Sequence, residues 1–89
     1  MEKAQIIVYP AIFSSENNTY NVTFPDVAEA ITFGEYIPEA VIMAQSALGL
    51  ALYERTQVPL ASSPKDIHLK NDEDFVVMIS LDVNYSPLS

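Results

Sequence analysis

The first forty residues most constrain what this chain can fold into, because three strand patterns run directly into one long apolar helix. The first pattern spans Lys3 to Phe13, a β-branched and aromatic run without helical spacing. The second, Thr19 to Phe24, alternates between apolar and polar residues, so its apolar side chains should share one face. The Ser- and Asn-rich break between them, Ser14–Asn18, predicts a turn and an antiparallel hairpin.

Three finer features follow from these strand patterns. The apolar run Ile6–Val8 predicts burial on both faces of the sheet. Pro10 cannot donate a hydrogen bond to a neighbouring strand, so it predicts a kink at a sheet edge or a bulge. A short third strand over Ala30–Phe33 should end at Gly34.

The helix should begin near Tyr36 or Ile37, with Pro38 in its first turn, where the missing N–H is not needed. Its apolar positions form a stripe at helical spacing and then widen it: Val41, Ala44, Leu48, Ala51 and Leu52, with Ile42, Met43, Ala47 and Leu50. Such a wide apolar surface predicts a helix covered on more than one side, by the sheet and, as one alternative, by a partner chain.

A connecting loop over Gln57–Asp74 precedes a last strand over Phe75–Val83, whose nearly continuous apolar run predicts a central position in the sheet. The element order is therefore β-β-β-α-β, an α+β fold class with one long helix packed on a small sheet. Eighty-nine residues are enough for a single domain, 1–89.

Composition excludes several classes of function. The chain has no cysteine, which removes disulfide frameworks, thiolate zinc sites and cysteine nucleophiles. Twelve acidic residues against four basic ones give a net charge of −8, so no direct nucleic-acid binding is expected. The acidity serves either solubility or attraction of a basic partner, and both interpretations stay open.

Neither a signal peptide nor a membrane span is predicted from the sequence. Met1 is followed by Glu2 and Lys3 and then a strand pattern, and polar residues interrupt the longest apolar stretch. We therefore expect a cytoplasmic protein with no membrane partner.

Catalysis is not predicted either. The first strand lacks an acidic residue, and Glu39 and Glu54 lie fifteen residues apart on the predicted helix, more than about 20 Å at its rise per residue. These carboxylates cannot share a metal ion, and no nucleophile stands at a useful spacing from a base. We therefore expect a protein that is not an enzyme, with no metal site and no cofactor.

Four segments together resemble the HicB family of bacterial antitoxins. They are Tyr9–Phe13, Tyr20–Asp26, Ile31–Glu35 and the Glu39–Ala40 opening of the helix, and the resemblance covers roughly residues 5–55. It implies a partial RNase-H-like fold. It also implies a partner of HicA type, a small basic ribonuclease that such antitoxins inhibit by covering it.

The chain departs from the family pattern at three places. Tyr36 stands where many members have a small polar cap, and Glu29–Ala30 stands where many have Gly-Cys. The sequence ends at Ser89 without the C-terminal DNA-binding domain that many members carry, so we expect no autorepression by this chain alone.

The resemblance and the charge predict a non-enzymatic antitoxin-like domain that binds and neutralises a HicA-like toxin. Aromatic anchors would supply buried area and carboxylates would meet the toxin's basic face. The candidate partner-binding residues are Tyr20, Phe24, Asp26, Glu29, Phe33, Glu35 and Tyr36. The alternative is a stand-alone structural or accessory module with another partner, and a homo-oligomer is expected under either interpretation.

Overall fold

The computed structural model describes residues 6–82 and confirms both the element order and the α+β class. The elements are β1 (Ile6–Glu16), β2 (Thr19–Thr23), β3 (Ile31–Gly34), α1 (Ile37–Tyr53) and β4 (Phe75–Asp82), with a short 3-10 turn at Pro64–Asp66. The predicted ends at Lys3 and Val83 lie outside the described residues. No helix within residues 6–82 is long and apolar enough to cross a membrane.

All strand pairs are antiparallel, and the sheet order is β3-β2-β1-β4. The helix α1 packs on one face of this sheet, and the core lies between the two layers. Its buried apolar residues are Tyr9, Ala11, Phe13, Val22, Phe24, Val27, Ala30, Ala40, Ala44, Leu48, Leu52 and Ile79. Alternate residues of each strand point into this core, as a half-buried sheet requires.

The hairpin is confirmed, but the predicted five-residue turn is wrong. β1 continues to Glu16, which pairs with Thr19, and only Asn17 and Asn18 form the loop. Both asparagines have positive φ, 52° and 65°, as a type I′ turn requires, and the twist of that turn suits two antiparallel strands. The polar run Ser14–Asn18 therefore indicated where the turn lies, but its length is set by the twist of the two paired strands.

Two burial predictions for the long strands are also wrong. Ile6 and Val8 are exposed rather than buried on both faces, because α1 covers one face and β2 pairs only from Ile12 onward. β4 lies at the edge of the sheet rather than in its centre, since β1 takes the central position. A continuous apolar run therefore does not distinguish a central strand from an edge strand.

Pro10 lies inside β1, which continues through it without a break. Its side chain is fully buried, and it pairs with Met78 of β4. On its other side the ladder to β2 has already ended at the Ile12–Thr23 pair, so Pro10 occupies a local edge as predicted. Continuing that register would place Pro25 opposite Pro10, and neither residue has an N–H to extend the ladder.

The helix begins at Ile37 with a proline in its first turn, as predicted. No side chain caps Tyr36, the residue before the helix. Instead the Glu39 carboxylate reaches back and accepts a hydrogen bond of 2.7 Å from the Glu35 backbone N–H. A carboxylate in the first turn also interacts favourably with the positive end of the helix dipole.

Candidate functional site

The structure separates the seven predicted partner-binding residues into three locations. Phe33, Glu35 and Tyr36 lie at the exposed end of β3 and the start of α1. Tyr20 and Phe24 pack inside or against the core. Asp26 and Glu29 lie in the β2–β3 connection, where they contact the segment that follows α1.

The first location carries an exposed apolar surface on an edge strand. Ile31 and Phe33 are 66% and 60% exposed. Both point away from α1, because side chains alternate along a strand and Gly34 of the same strand meets Ala40 of the helix. Tyr36 and Ile37 follow directly in the chain and are also exposed. We call Ile31, Phe33, Tyr36 and Ile37 the edge patch.

Polar and acidic groups border the edge patch. Across the strand pair, Asn21 lies opposite Phe33 and Thr23 lies opposite Ile31. Glu35 is exposed between Phe33 and Tyr36, and the half-buried Glu39 carboxylate lies close to the Glu35 backbone. An apolar centre with a polar and charged margin is the usual arrangement of a protein–protein interface.

The second location contributes little accessible surface. Phe24 is a core residue that is only 1% exposed. Tyr20 is half-buried and packs edge-on against Phe75, with ring centroids 6.2 Å apart. Phe24 therefore stabilises the scaffold, and Tyr20 offers at most part of its ring to a partner.

In the third location an ion pair joins the β2–β3 connection to the end of the helix. The Arg55 guanidinium donates two hydrogen bonds of 2.6 Å to the two carboxylate oxygens of Glu29. These bonds lower the pKa of Glu29 to about 2 and raise the pKa of Arg55. Both side chains remain partly exposed, so the pair stabilises the fold only modestly.

Asp26, in the β2–β3 connection, also binds the segment that follows α1. Its carboxylate accepts a hydrogen bond of 2.8 Å from the Ser62 backbone N–H and one of 2.5 Å from the Ser62 hydroxyl. Nearby, the Tyr9 hydroxyl donates to the Pro59 carbonyl oxygen. Burial and the neighbouring Asp26 charge raise the pKa of Tyr9.

These contacts form one group, which we call the loop clamp: Tyr9, Asp26, Glu29, Arg55, Pro59 and Ser62. Its partners are separated by 26 to 50 positions in the chain. Sequence reasoning missed the clamp because no local spacing pairs residues so distant. It also missed Ile31, although the Ile31 and Phe33 alternation with Thr32 and Gly34 could have indicated it.

The described residues show no arrangement typical of a metal site. Within residues 6–82 no group of three or more His, Asp or Glu side chains comes together in a way that could hold a metal ion. The exposed groups at the edge patch are apolar side chains and the Glu35 carboxylate.

The chain matches a known class of protein. The family model of HicB-like antitoxins of bacterial toxin–antitoxin systems matches residues 8–84. The chain therefore belongs to the HicB-like antitoxin family.

Two individual relatives agree with this assignment. Antitoxin HicB 2 of Photorhabdus laumondii is 37% identical over 59 residues, a match that covers 62% of this chain and 42% of that protein. The chain thus spans less than half the length of this relative. A chain of a toxin–antitoxin complex from Streptococcus pneumoniae superposes with a TM-score of 0.77 at 28% identity, covering 90% of this chain and 71% of that one.

Proposed function

We propose that this protein is an antitoxin that binds a small basic ribonuclease of the HicA type and neutralises it by covering its RNA-binding face. Its action is steric and electrostatic rather than catalytic. Membership of the HicB-like family supports the antitoxin role. The net charge of −8 supports a basic partner, since opposite charges speed encounter and favour correct pairing.

The edge patch is the observation that carries this proposal. Two large apolar side chains, Ile31 and Phe33, are exposed to solvent on the short edge strand β3, close in the chain to the exposed Glu35. Aromatic side chains at the centre of an interface supply much of its binding free energy. Carboxylates at its margin affect mainly the association rate and the choice of partner.

The candidate residues therefore take two roles in the proposal. Phe33, Glu35 and Tyr36, with Ile31, contact the toxin. Asp26 and Glu29 hold the loop clamp and support the scaffold, because their carboxylates already accept internal hydrogen bonds. Charge reversal at Asp26 or Glu29 would disturb the fold as well as binding, so Glu35 is the better position to reverse.

The first prediction concerns Phe33. Phe33→Ala should weaken binding of the cognate toxin at least about tenfold, because truncating an interface anchor costs about 1.4 kcal/mol or more. Titration calorimetry measures this loss, and an RNA cleavage assay should show weaker inhibition. Leu60→Ala is the matched control, since Leu60 is 93% exposed and lies outside the edge patch.

Glu35→Lys tests the electrostatic part of the same surface. We expect a slower association rate, and the difference from the unaltered protein should shrink as salt screens the charges. Unchanged toxin affinity in both Phe33→Ala and Glu35→Lys would contradict the assignment of the edge patch. Failure of the unaltered protein to bind any HicA-type toxin would contradict the proposed function itself.

A further inference from the structure

β3 lies at one edge of the sheet, next to β2. Along an antiparallel strand, the N–H and C=O of one residue face the neighbouring strand, and those of the next residue face the opposite way. Two of the four residues of β3 therefore direct their backbone groups out of the sheet. The pairing of the strands identifies these two residues.

The two-residue loop of the β1–β2 hairpin determines the alternation. A type I′ loop is closed by a hydrogen-bonded residue pair, here Glu16 and Thr19, so the backbone groups of Thr19 face β1. The groups of the next residue, Tyr20, then face β3, where Gly34 lies opposite. Gly34 and, two residues earlier, Thr32 therefore use their backbone groups to bond β2.

The other edge of the sheet agrees with this alternation. Followed along β1 from Glu16, the alternation turns the backbone groups of Val8 away from β4. Ser80 of β4 lies opposite Val8, so its C=O must point out of the sheet. The side chain of Gln45 in α1 donates a hydrogen bond of 3.1 Å to this oxygen, as the assignment requires.

Ile31 and Phe33 are the residues of β3 whose backbone groups face outward. Within residues 6–82, neither takes part in a backbone hydrogen bond outside the sheet ladder. Natural proteins often protect an edge strand with a charged residue, a proline or a covering element. β4 has such cover at Ser80, whereas β3 contains neither a charged residue nor a proline. The same two residues thus present exposed apolar side chains and free hydrogen-bonding groups.

The charge beside β3 indicates what can pair with it. Glu35 follows the strand directly and is exposed, and the whole chain has a net charge of −8. Pairing of β3 with the β3 of a second copy would bring two acidic chains together around one short strand. A basic partner instead gains from the same charge. These conditions favour an extended segment of a basic protein over a second copy.

We propose that the HicA-type toxin adds an extended segment to the free edge of β3, as a further strand of the sheet. In strand addition, main-chain hydrogen bonds provide affinity and side chains at alternate positions provide specificity. Alternate side chains of the toxin segment pack on Ile31 and Phe33, and a basic side chain at one end of it meets Glu35. This inference rests on the proposed function and specifies how the edge patch binds.

The shortness of β3 limits what its backbone contributes. Ile31 and Phe33 offer one N–H and one C=O each, so two residues with two groups each form at most four backbone hydrogen bonds. A single hydrogen bond contributes modestly to binding, and the apolar side chains supply much of the affinity. The loss of one outward N–H should therefore weaken toxin binding about three- to tenfold.

Hydrogen exchange of single amides, followed by NMR in the unaltered protein, tests the proposal. In the free protein the amides of Thr32 and Gly34 should exchange slowly because they bond β2. The amides of Ile31 and Phe33 should exchange fast. Adding the cognate HicA-type toxin should slow the exchange of these two amides at least about tenfold.

The other outcomes of this measurement separate the two proposals. Fast exchange of the Ile31 and Phe33 amides in a complex that has formed would overturn strand addition and leave the proposed function intact. Failure of the toxin to bind would overturn both. Slow exchange of these amides in the free protein that increases with its own concentration would show that a second copy occupies the edge, which would also overturn strand addition by the toxin.

Two variants at Ile31 separate the contribution of the backbone from that of the side chain. Ile31→Ala truncates the side chain and keeps the N–H, whereas Ile31→Pro also removes the N–H. Proline is tolerated at the first residue of an edge strand and where the N–H faces solvent, and Ile31 meets both conditions. Ile31→Pro should bind the toxin about three- to tenfold more weakly than its matched control Ile31→Ala. Urea unfolding compares the stability of the two variants, and equal toxin affinity of both folded variants would overturn the proposal.

Discussion

At Gly34 the backbones of the sheet and the helix come into direct contact. A Cβ placed on this residue would lie 2.6 Å from the Ala40 nitrogen and 2.7 Å from its Cα. The glycine does not have positive φ, so the requirement at this position is space rather than backbone freedom. The contact orients β3 so that Phe33, one residue earlier, points to solvent.

We predict that Gly34→Ala destabilises the protein by about 1–3 kcal/mol, the usual cost of forcing extra volume into a packed contact. Ala40→Gly should not restore the stability, because the clash involves Ala40 backbone atoms. Urea unfolding of the single and double variants measures both effects. Ser15→Ala, at an exposed strand position, is the control; full rescue by Ala40→Gly would contradict the explanation.

Among the elements, the β1–β2 hairpin sets the register that separates buried from exposed positions. Its two-residue loop, Asn17–Asn18, fixes the pairing of Glu16 with Thr19 and so aligns Phe13 with Val22 in the core. The Thr19 hydroxyl donates to the Glu16 carbonyl oxygen at 2.7 Å. The Asn21 side chain donates to the Glu16 carboxylate at 3.2 Å, which supports the loop further.

The positive φ at Asn18 yields a prediction for this hairpin. Asn18→Val should cost about 1–2 kcal/mol, because a β-branched residue is strained in the left-handed region. Asn18→Gly should be neutral or slightly stabilising, since glycine adopts positive φ without a steric penalty. Thermal unfolding compares the two variants. Equal stability of Asn18→Val and Asn18→Gly would contradict the type I′ assignment.

Across the whole molecule, the loop clamp connects the end of the helix to the β2–β3 connection that precedes the edge patch. The Glu29–Arg55 pair joins residues 26 positions apart. Asp26 and Ser62 join two further points of the same segments. The carboxylates of Asp26 and Glu29 therefore support the scaffold, whereas the side chain of Glu35 is exposed.

The clamp should make stability depend on pH. The pKa of Glu29 is about 2 in the folded protein, below its ordinary value of 4.5. The Glu29–Arg55 pair therefore contributes its full stabilisation above pH 4.5, and this contribution is lost as the pH falls towards 2. The effect should be small and weaker in high salt, because the pair is exposed. Denaturant unfolding at several pH values measures the free energy of unfolding of the unaltered protein and of Glu29→Gln. The difference between the two should shrink as the pH falls from 4.5 towards 2. A difference that stays constant with pH would contradict this prediction.

The structural features that depend on neighbouring residues could be predicted from the local sequence pattern. The β-β-β-α-β order, the Tyr20–Phe24 alternation and the helix start at Ile37 follow from side-chain periodicity and from the fixed φ of Pro38. The family model matches residues 8–84, a range that includes these stretches. These features need few contacts between distant parts of the chain.

Tertiary structure decided which of these residues are accessible. Phe24 and Phe33 both lie in short strand patterns, yet one is buried and the other is exposed. β4 lies at an edge of the sheet although its apolar run predicted a central position. The carboxylates of Asp26 and Glu29 accept hydrogen bonds from residues more than 25 positions away in the chain. Periodicity determines which side chains share a face, but only the packing of distant segments determines which face is covered. For this reason the sequence identified the antitoxin scaffold, and the tertiary structure separated the supporting carboxylates of Asp26 and Glu29 from the exposed residues of the edge patch.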